Sequence, residues 1–479
     1  GLKLPEGTPQ ALDASLIWVG TDDGNVQLTR DGGKTWANTF ASAPGLKPNA
    51  WISRVEPSHF DKGTAYVSAS HWQDGDYTPY FYKTTDYGKT WTLITKGMPS
   101  KGWSHVIRED PKNRDVLYAG TENGLYGSWD RGATWVSIRN NMPAAPVRDI
   151  AIHPRDNDII VATHGRGIYI LDDAAPFQGL AEAQKTEAYL FPVRPAIRWA
   201  GGAGMFRLNE RDWVAPNPSA GAYINVFLRS APKQPLSITI TDKSGKTVRT
   251  LRNQRARAGV NRFVWDLRWD NPAAPRPDPA MAGVPAAARS RFGFGNSGPA
   301  VLPGDYVVKV SAGGRELISP VTVQLDPGVS AAPADLQAQL DAAFAMLDVQ
   351  KRVNAVIARV DDLMEQLTAL DRELGTQSPV PAVRTRVKSA IDALKTWRDQ
   401  ELARPLSGFG YRQYPRLRED VQSVAGYINR GFKAPNEGEK LRAKELTDQT
   451  AAAEKKLATI EAGDISAINA AMKDQPRIR

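Results

Sequence analysis

The sequence lacks cysteine and contains only five histidines among its 479 residues. Without cysteine the chain has no disulfide, no thiolate nucleophile and no thiolate metal site. The histidines are scattered, without the spacing that a zinc site requires. They are His59, His71, His105, His153 and His164. We therefore expect neither a metal ion nor another cofactor.

Long apolar stretches are missing as well. No run of 18 apolar residues occurs, so no segment has the length and composition of a membrane-spanning helix. The first ten residues, GLKLPEGTPQ, have neither the basic nor the apolar region of a signal peptide. This end could still be the product of processing, so the sequence leaves the compartment open.

Acidic residues are scarce in the middle of the chain. Residues 178–330 carry 20 Lys and Arg against 11 Asp and Glu, which accounts for the whole net charge of +9. Such an excess indicates either a solvated basic surface or a surface that faces an anionic partner. No dense basic run with interleaved aromatic residues occurs, so we do not expect nucleic-acid binding.

One turn sequence is repeated three times in the first third of the chain. TRDGGKTW (29–36) returns as TTDYGKTW (84–91) and SWDRGATW (128–135), with its Asp residues 55 and 44 positions apart. Each copy lies between short β-branched and aromatic segments that are typical of strands. Units of four strands at this period are typical of β-propeller blades.

The residue types of this turn indicate a structural role. An Asp at the head of a tight turn accepts hydrogen bonds from N–H groups just downstream. Glycine adopts backbone angles that a Cβ would penalise, and the Trp offers a large apolar surface to a neighbouring blade. These structural residues are Asp31, Gly33, Trp36, Asp86, Gly88, Trp91, Asp130, Gly132 and Trp135.

The three turns resemble the Asp-box, or BNR, repeats of sialidase-like and sortilin-like propellers. Segments such as EPSHFDKGTAYV and IHPRDNDIIVATHGRGIYILDD resemble large bacterial BNR-repeat proteins, which are often labelled glycosyl hydrolase. The resemblance covers nearly the whole chain. It implies that the Asp-boxes lie on the face away from the ligand-binding mouth. It also implies a secreted or periplasmic bacterial protein.

The number of blades is too small for a closed propeller. Residues 1–177 supply two complete blades, a first blade without its opening strand and a fourth without its closing strand. A closed ring needs at least four complete blades. We therefore expect this chain to be the C-terminal part of a longer protein. The remaining blades would come from an N-terminal fragment or from another chain.

Two further regions follow the propeller portion. Residues 178–219 predict connecting strands, and 220–328 alternate in polarity as in an Ig-like β-sandwich, interrupted by a Pro/Ala/Gly-rich loop at 271–304. Residues 329–479 predict an antiparallel α-helical bundle, because Leu and Ala recur on one stripe. The predicted fold class is therefore multidomain and mainly β, with blades first, a sandwich next and helices last.

The loops at the propeller mouth offer the candidate site residues. The candidates for ligand binding are His71, Trp72, Asp74, Asp76, Tyr77, His164 and Arg166. A glycosidase needs two carboxylates about 5–10 Å apart. Asp22 or Asp23 together with Glu122 could supply them, although such residues also serve turn geometry alone. Neither a sialidase-like arginine triad nor an aromatic-lined cleft can be assembled from these loops.

Three functions remain open at this point. The favoured hypothesis is a non-catalytic binding protein that holds a protein or glycan at the propeller mouth, with no membrane span. The alternative is a glycoside hydrolase that acts through mouth carboxylates. A third possibility is an assembly factor, because propellers resembling the photosystem II assembly factor share these repeats. Two facing carboxylates in an aromatic cleft would favour the hydrolase.

Overall fold

The fold was examined in a computed structural model of the chain. It describes residues 12–41, 43–200, 218–272, 298–312, 314–375, 381–404, 414–472 and 478. Most of the predicted loop 271–304 lies outside these described residues. The chain is mainly β in its first two thirds and helical at its C-terminal end.

Four small antiparallel sheets follow one another in the first part of the chain. They contain three, four, four and three strands, each sheet a simple meander. This matches the strand pattern that the repeats predict. The strands are β1 (Ile17–Gly20), β2 (Val26–Thr29) and β3 (Ala37–Asn38), then β4 (Trp51–Pro57), β5 (Ala65–His71), β6 (Asp76–Thr84) and β7 (Thr92–Leu93), then β8 (Ser104–Glu109), β9 (Leu117–Thr121), β10 (Gly124–Ser128) and β11 (Val136–Ser137), and finally β12 (Val147–Ile152), β13 (Ile159–Thr163) and β14 (Ile168–Leu171).

The first strands of the second, third and fourth sheets come together in one ion-pair network. Arg108 on β8 donates to Glu56 on β4 (2.7 Å) and to Asp149 on β12 (3.0 Å). Arg54 on β4 donates to the same Asp149 oxygen at 2.8 Å. Because these three strands converge while the others extend away from them, the sheets are arranged as in a propeller.

The two outermost sheets differ from the two inner ones in burial. Every residue of β5 and β10 is buried, since a neighbouring sheet covers each face. On β14, by contrast, the side chains of Ile168 and Ile170 are 70% and 59% exposed. No extensive contact joins the fourth sheet back to the first within the described part of the chain. These described strands therefore form an open arc.

Two sheets with a shared core follow the arc. The short helices α1 (Ala175–Gln178) and α2 (Leu180–Ala183) lead into them. The smaller sheet has the order β15-β17-β20 and the larger one β16-β22-β21-β18-β19. Their strands are β15 (Ala188–Leu190), β16 (Ala196–Arg198), β17 (Ala222–Leu228), β18 (Leu236–Asp242), β19 (Thr247–Gln254), β20 (Gly259–Trp265), β21 (Gly304–Ala312) and β22 (Arg315–Leu325).

Alternating apolar side chains from both sheets fill the space between them, with Ile224, Ile238 and Trp265 fully buried. This packing forms a two-layer sandwich. Its assignment to the Ig-like class stays a prediction, as do the domain limits given above.

The C-terminal region is helical, and its longest element is a helix of 42 residues. Three further helices pack along that helix and bury one shared apolar core. The helices are α3 (Pro333–Leu374), α4 (Pro381–Trp397), α5 (Leu417–Ile428), α6 (Glu437–Ile460) and the short α7 (Ser466–Ala471).

A buried arginine joins the sandwich to the helical region. Arg198 donates to the side chain of Gln339 and to the carbonyl of Gly431, both at 3.1 Å. Its guanidinium also lies 4.6 Å from the ring centre of Phe432. Burial lowers the pKa of Arg198 to about 10, and the group remains charged near neutral pH. The fixed hydrogen bonds of this charge hold the two regions in one orientation.

Candidate functional site

The three repeated Asp residues make hydrogen bonds inside their own turns. Asp31 Oδ1 accepts from the backbone N–H groups of Lys34 and Thr35, both at 2.9 Å, and its Oδ2 accepts from the Thr35 hydroxyl at 2.6 Å. Asp86 and Asp130 make the corresponding bonds to the threonines four residues downstream. Each carboxylate therefore accepts hydrogen bonds from N–H and hydroxyl groups of its own turn.

The glycines of these turns adopt positive φ angles, between 76° and 95° for Gly33, Gly88 and Gly132. The last two also approach the preceding sheet closely. A Cβ on Gly88 would lie 2.5 Å from Thr39, and one on Gly132 would lie 2.7 Å from Ile94. Both the backbone angle and the contact therefore favour glycine.

The three repeated tryptophans differ in what they contact. Trp91 is buried, and its indole N–H donates to Thr39 of the preceding sheet at 2.7 Å. Trp135 is buried in the same way and donates to Ile94 at 2.6 Å. Trp36, in the first sheet, is 45% exposed and donates to Gly33 of its own turn. The indole ring of the first turn is thus exposed, whereas those of the other two turns are buried against the preceding sheet.

The turn hydrogen bonds predict a loss of stability in acid. The hydroxyl and the N–H of Thr35 hold the pKa of Asp31 at about 2, below its ordinary value of 3.8. A carboxylate with a lowered folded-state pKa stabilises the protein above about pH 4, and this contribution is lost as the pH falls through about 2. In Asp31→Asn, we expect the unfolding midpoint to fall less steeply between pH 4 and 2. Denaturant titrations at each pH measure this slope.

Asp22 provides a matched control, because it is an exposed aspartate in the neighbouring turn. Asp22→Asn should keep the acid slope of the unsubstituted chain. An identical slope in all three proteins would contradict the role assigned to the Asp31 hydrogen bonds.

Three aromatic side chains come together at the ends of the second and third sheets. The rings of Trp72 and Trp103 lie 6.0 Å apart with planes only 19° from parallel. Tyr77 lies 5.4 Å from Trp103. Trp72 and Tyr77 are 37% and 46% exposed. We call these three residues the aromatic platform. Trp103 is half-buried and supports the two exposed rings, which offer an apolar surface to solvent.

A carboxylate lies immediately beside the aromatic platform. His105 Nε2 is 2.8 Å from Glu122 Oε2, and the His105 ring lies 5.9 Å from that of Trp103. Arg148 donates to His105 Nδ1 at 3.3 Å and lies 3.9 Å from the Glu122 carboxylate. Since Nδ1 accepts from an arginine, the ring proton sits on Nε2 and is donated to Glu122.

Burial lowers the pKa of His105 even though the hydrogen bond to Glu122 acts in the opposite direction. The imidazole is therefore neutral near pH 7. Glu122 keeps about a quarter of its side chain exposed. Neutral His105 and cationic Arg148 thus hold an accessible carboxylate in one orientation next to the aromatic rings.

The loop that carries Trp72 is fixed by a buried histidine. His71 lies 3.0 Å from both the Asp74 carboxylate and the Lys47 carbonyl, through its two ring nitrogens. Asp76 accepts a hydrogen bond from the Tyr80 hydroxyl at 2.9 Å. Burial acts to raise the pKa of Asp76, but the hydrogen bonds from Thr78 and Tyr80 outweigh it and lower the pKa. These contacts position the loop, and they leave Asp74 largely exposed.

The remaining candidates do not join this cluster through any described hydrogen bond or ion pair. Asp23 accepts hydrogen bonds from Thr21 and Asn25 of its own turn, and these lower its pKa. Asp22, His164 and Arg166 are exposed. Glu122 is therefore paired with His105 and Arg148, and no described contact links it to either aspartate.

Sequence reasoning had missed three members of the cluster: Trp103, His105 and Arg148. The hairpin loops within each sheet do not by themselves predict an aromatic cleft, because they contain Trp72 and Tyr77 but not Trp103. Trp103 lies in the connection that enters the third sheet, and His105 and Arg148 lie near the starts of β8 and β12. The motif KGWSHV before a blade's first strand was the available signal, since such connections meet the hairpin loops at one face of a propeller.

Neither a metal centre nor a membrane segment is evident in the described part of the chain. Its His, Asp and Glu side chains form no group of three or more suited to a metal ion. None of its described helices has the length and apolar composition needed to cross a membrane.

Comparison with known proteins gives partial matches. No family model matches the chain. A xyloglucanase from Hypocrea jecorina (strain QM6a) is 26% identical over 180 residues, which is 36% of this chain and 19% of that protein. The chain thus matches about a fifth of the length of this curated relative.

Among solved structures, similarity is found to the GH74 xyloglucanase from Xanthomonas campestris at 15% identity, covering 63% of this chain and 47% of that one, with a TM-score of 0.26. YCF48 from Cyanidioschyzon merolae matches at 16% identity over 52% of this chain and 68% of that one, with a TM-score of 0.24.

Proposed function

We propose that this chain is part of a polysaccharide-acting propeller protein of the glycoside hydrolase type, which holds a neutral glucan on the aromatic platform. The observation that carries the proposal is the placement of Trp72, Tyr77 and Trp103 next to the oriented carboxylate of Glu122. This function is the glycoside hydrolase that the sequence analysis gave as its alternative. The similarity to a xyloglucanase supports it over the purely non-catalytic binding function that the sequence had favoured.

The chemistry of the platform suits a sugar chain. A pyranose ring has an apolar face made of C–H groups and an equator of hydroxyl groups. Exposed indole and phenol rings pack against the C–H face, while the polar groups at their edges bind hydroxyl oxygens. The exposed rings of Trp72 and Tyr77, both packed against Trp103, provide such a surface. This arrangement favours a linear, uncharged polysaccharide.

Glu122 is the carboxylate that we assign to the reaction. Because Arg148 and the His105 N–H hold its oxygens in one orientation beside the aromatic platform, it suits a nucleophile or general base. A general acid needs a carboxyl group whose pKa is raised. The pKa values of two aspartates at the mouth, Asp23 and Asp76, are instead lowered. We therefore infer that the acid comes from blades outside this chain.

The test of this function measures binding and hydrolysis separately. Xyloglucan oligosaccharides should bind the chain in isothermal titration calorimetry, and Glu122→Gln should bind them at similar strength. In the protein with all its blades, the same substitution should lower the release of reducing sugar ends by about 100-fold or more. Unchanged hydrolysis in Glu122→Gln would refute its catalytic role, and failure of any glucan to bind would refute the platform.

We also propose that further Asp-box blades complete the propeller and supply the rest of the site. In the inner sheets, each repeated Trp is buried against the sheet that precedes it. Trp36 has the same turn, but no sheet precedes it among the described residues, and it is exposed. The apolar edge residues Ile168 and Ile170 are exposed at the other end of the arc. A blade of the same type fits both surfaces, and it would be secreted or periplasmic together with this chain.

Oxidative footprinting of Trp36 tests the missing blades. We expect Trp36 to be labelled rapidly in the isolated 479-residue chain and to be protected in protein purified from its natural source. Native mass spectrometry of the same material should show additional mass. Tyr427, an exposed side chain of the helical region, serves as the internal control and should be labelled equally in both samples. Equal labelling of Trp36 would contradict the proposal.

A further inference from the structure

A strongly basic stretch joins the two sheets of the sandwich. Residues 245–262 contain six Lys and Arg and no Asp or Glu. Three of these cations have partners: Lys246 lies over the Trp269 ring at 4.9 Å, Arg249 is 3.5 Å from Asp270, and Arg262 donates to Asn225 at 2.9 Å. The other three, Arg252, Arg255 and Arg257, form no ion pair with any residue that the structure describes.

Those remaining arginines are exposed, and two of them lie in the turn between β19 and β20. Arg255 and Arg257 form no ion pair in the described part of the chain. The turn backbone is held by Asn261, which accepts from the Arg257 N–H at 2.9 Å and donates to its carbonyl at 2.7 Å. The two guanidinium groups are thus presented from a fixed loop.

The turn borders a cleft at one end of the sandwich. Gln254 pairs with Leu236 and Gly259 pairs with Leu228, and both leucines line a cleft of about 660 Å³ between the two sheets. Residues 255–258 connect these paired positions and do not line the cleft themselves, so they lie next to it at the same end of the sandwich. A concave space of this size accommodates a segment of a polymer chain.

The cleft itself adds more unneutralised cations. Lys233 and Arg315 line it, are exposed and form no described ion pair. Its two glutamates are each neutralised, Glu187 by Arg229 at 3.0 Å and Glu316 by Lys309 at 3.8 Å. When Arg229, Lys309 and the two turn arginines are counted with the lining residues, six cations surround the cleft against two carboxylates, so its surroundings are positive.

We propose that this cleft binds an anionic polysaccharide through a basic rim formed by Lys233, Arg255, Arg257 and Arg315. Guanidinium groups bind carboxylates in a planar, bidentate geometry, which suits the uronate carboxylates of such a chain. No aromatic side chain is among the residues that line the described cleft, so nucleic-acid bases have no ring to stack on. The concave shape also disfavours a flat lipid surface. This site is separate from the aromatic platform and does not depend on its function.

Binding of polygalacturonate tests the basic rim. We expect the unsubstituted chain to bind it, with an affinity that falls as salt is added. The variant K233Q/R255Q/R257Q/R315Q should bind about tenfold more weakly or worse, since it removes four cationic hydrogen-bond donors. All four positions are exposed, and the variant should keep the unfolding midpoint of the unsubstituted chain.

The control variant removes the same number of charges elsewhere. K351Q/K388Q/K395Q/K455Q alters exposed lysines of the helical region, and it should bind polygalacturonate normally. Trp103→Ala should also bind it normally, whereas the rim variant should keep its affinity for neutral xyloglucan. Absence of polygalacturonate binding, equal loss in both charge variants, or tighter binding of DNA or of anionic phospholipid vesicles would overturn the proposal.

Discussion

Replacing Trp103 by Ala is expected to weaken the binding of xyloglucan oligosaccharides by about 10- to 100-fold. Trp103 is the central ring of the aromatic platform, because it contacts both Trp72 and Tyr77 and also the His105 ring. Truncating a central aromatic residue in a binding surface costs on the order of 1.4–2.8 kcal/mol, which corresponds to this loss of affinity. Isothermal titration calorimetry with a defined oligosaccharide measures the change.

Two further variants separate stacking from general disturbance of the fold. Trp103→Phe keeps an aromatic face and should recover much of the affinity. Trp36→Ala removes a tryptophan that lies in an Asp-box turn outside the aromatic platform, and it should leave the affinity unchanged. If Trp103→Ala bound the oligosaccharide as tightly as the unsubstituted chain, the aromatic platform would not be the glucan site.

Replacing Trp135 by Ala is expected to lower the free energy of unfolding by about 3–5 kcal/mol. Its side chain is buried between the second and third sheets, beside Phe81 and Ile107, and its indole N–H bonds the Ile94 carbonyl. The substitution leaves a cavity and also an unpaired buried carbonyl. Chemical denaturation of the purified chain provides the measurement.

The equivalent tryptophan of the first sheet supplies an internal comparison. Trp36→Ala should cost less than about 1 kcal/mol in the isolated chain, because exposed side chains contribute little. In protein that contains a preceding blade, the cost should rise towards that of Trp135→Ala. Similar losses for both variants in the isolated chain would show that burial against a preceding sheet is not what stabilises these turns.

Much of the propeller portion could be predicted because the interactions that form its turns and strands join residues close together in the sequence. The hydrogen bonds of Asp31, Asp86 and Asp130 span four residues or fewer, so the turn sequence suffices to specify them. The alternation of strands and turns likewise gave the three-, four-, four- and three-stranded pattern. Helices at the C-terminal end followed from the apolar stripe of 333–374, whose buried positions recur every three or four residues.

The candidate site depends on contacts between residues that are distant in sequence. Trp72 and Trp103 are 31 positions apart and His105 and Arg148 are 43 apart, and they meet only because adjacent sheets bring their ends to one face. Asp22 and Asp23 looked as suitable as Glu122 in the sequence. Glu122 alone is held by a histidine and an arginine, which come from β8 and β12.

The amino-acid sequence by itself determined the turns, the strand count of each sheet, the C-terminal helices and the basic charge of the middle segment. Only the tertiary structure decided which tryptophans are buried and which rings form the aromatic platform. It also decided which of the six cations in residues 245–262 form no ion pair with a described residue. The physical reason is the sequence separation over which each interaction acts. Turn and strand preferences act within a few residues, whereas burial and charge pairing depend on which sheets and helices lie next to one another.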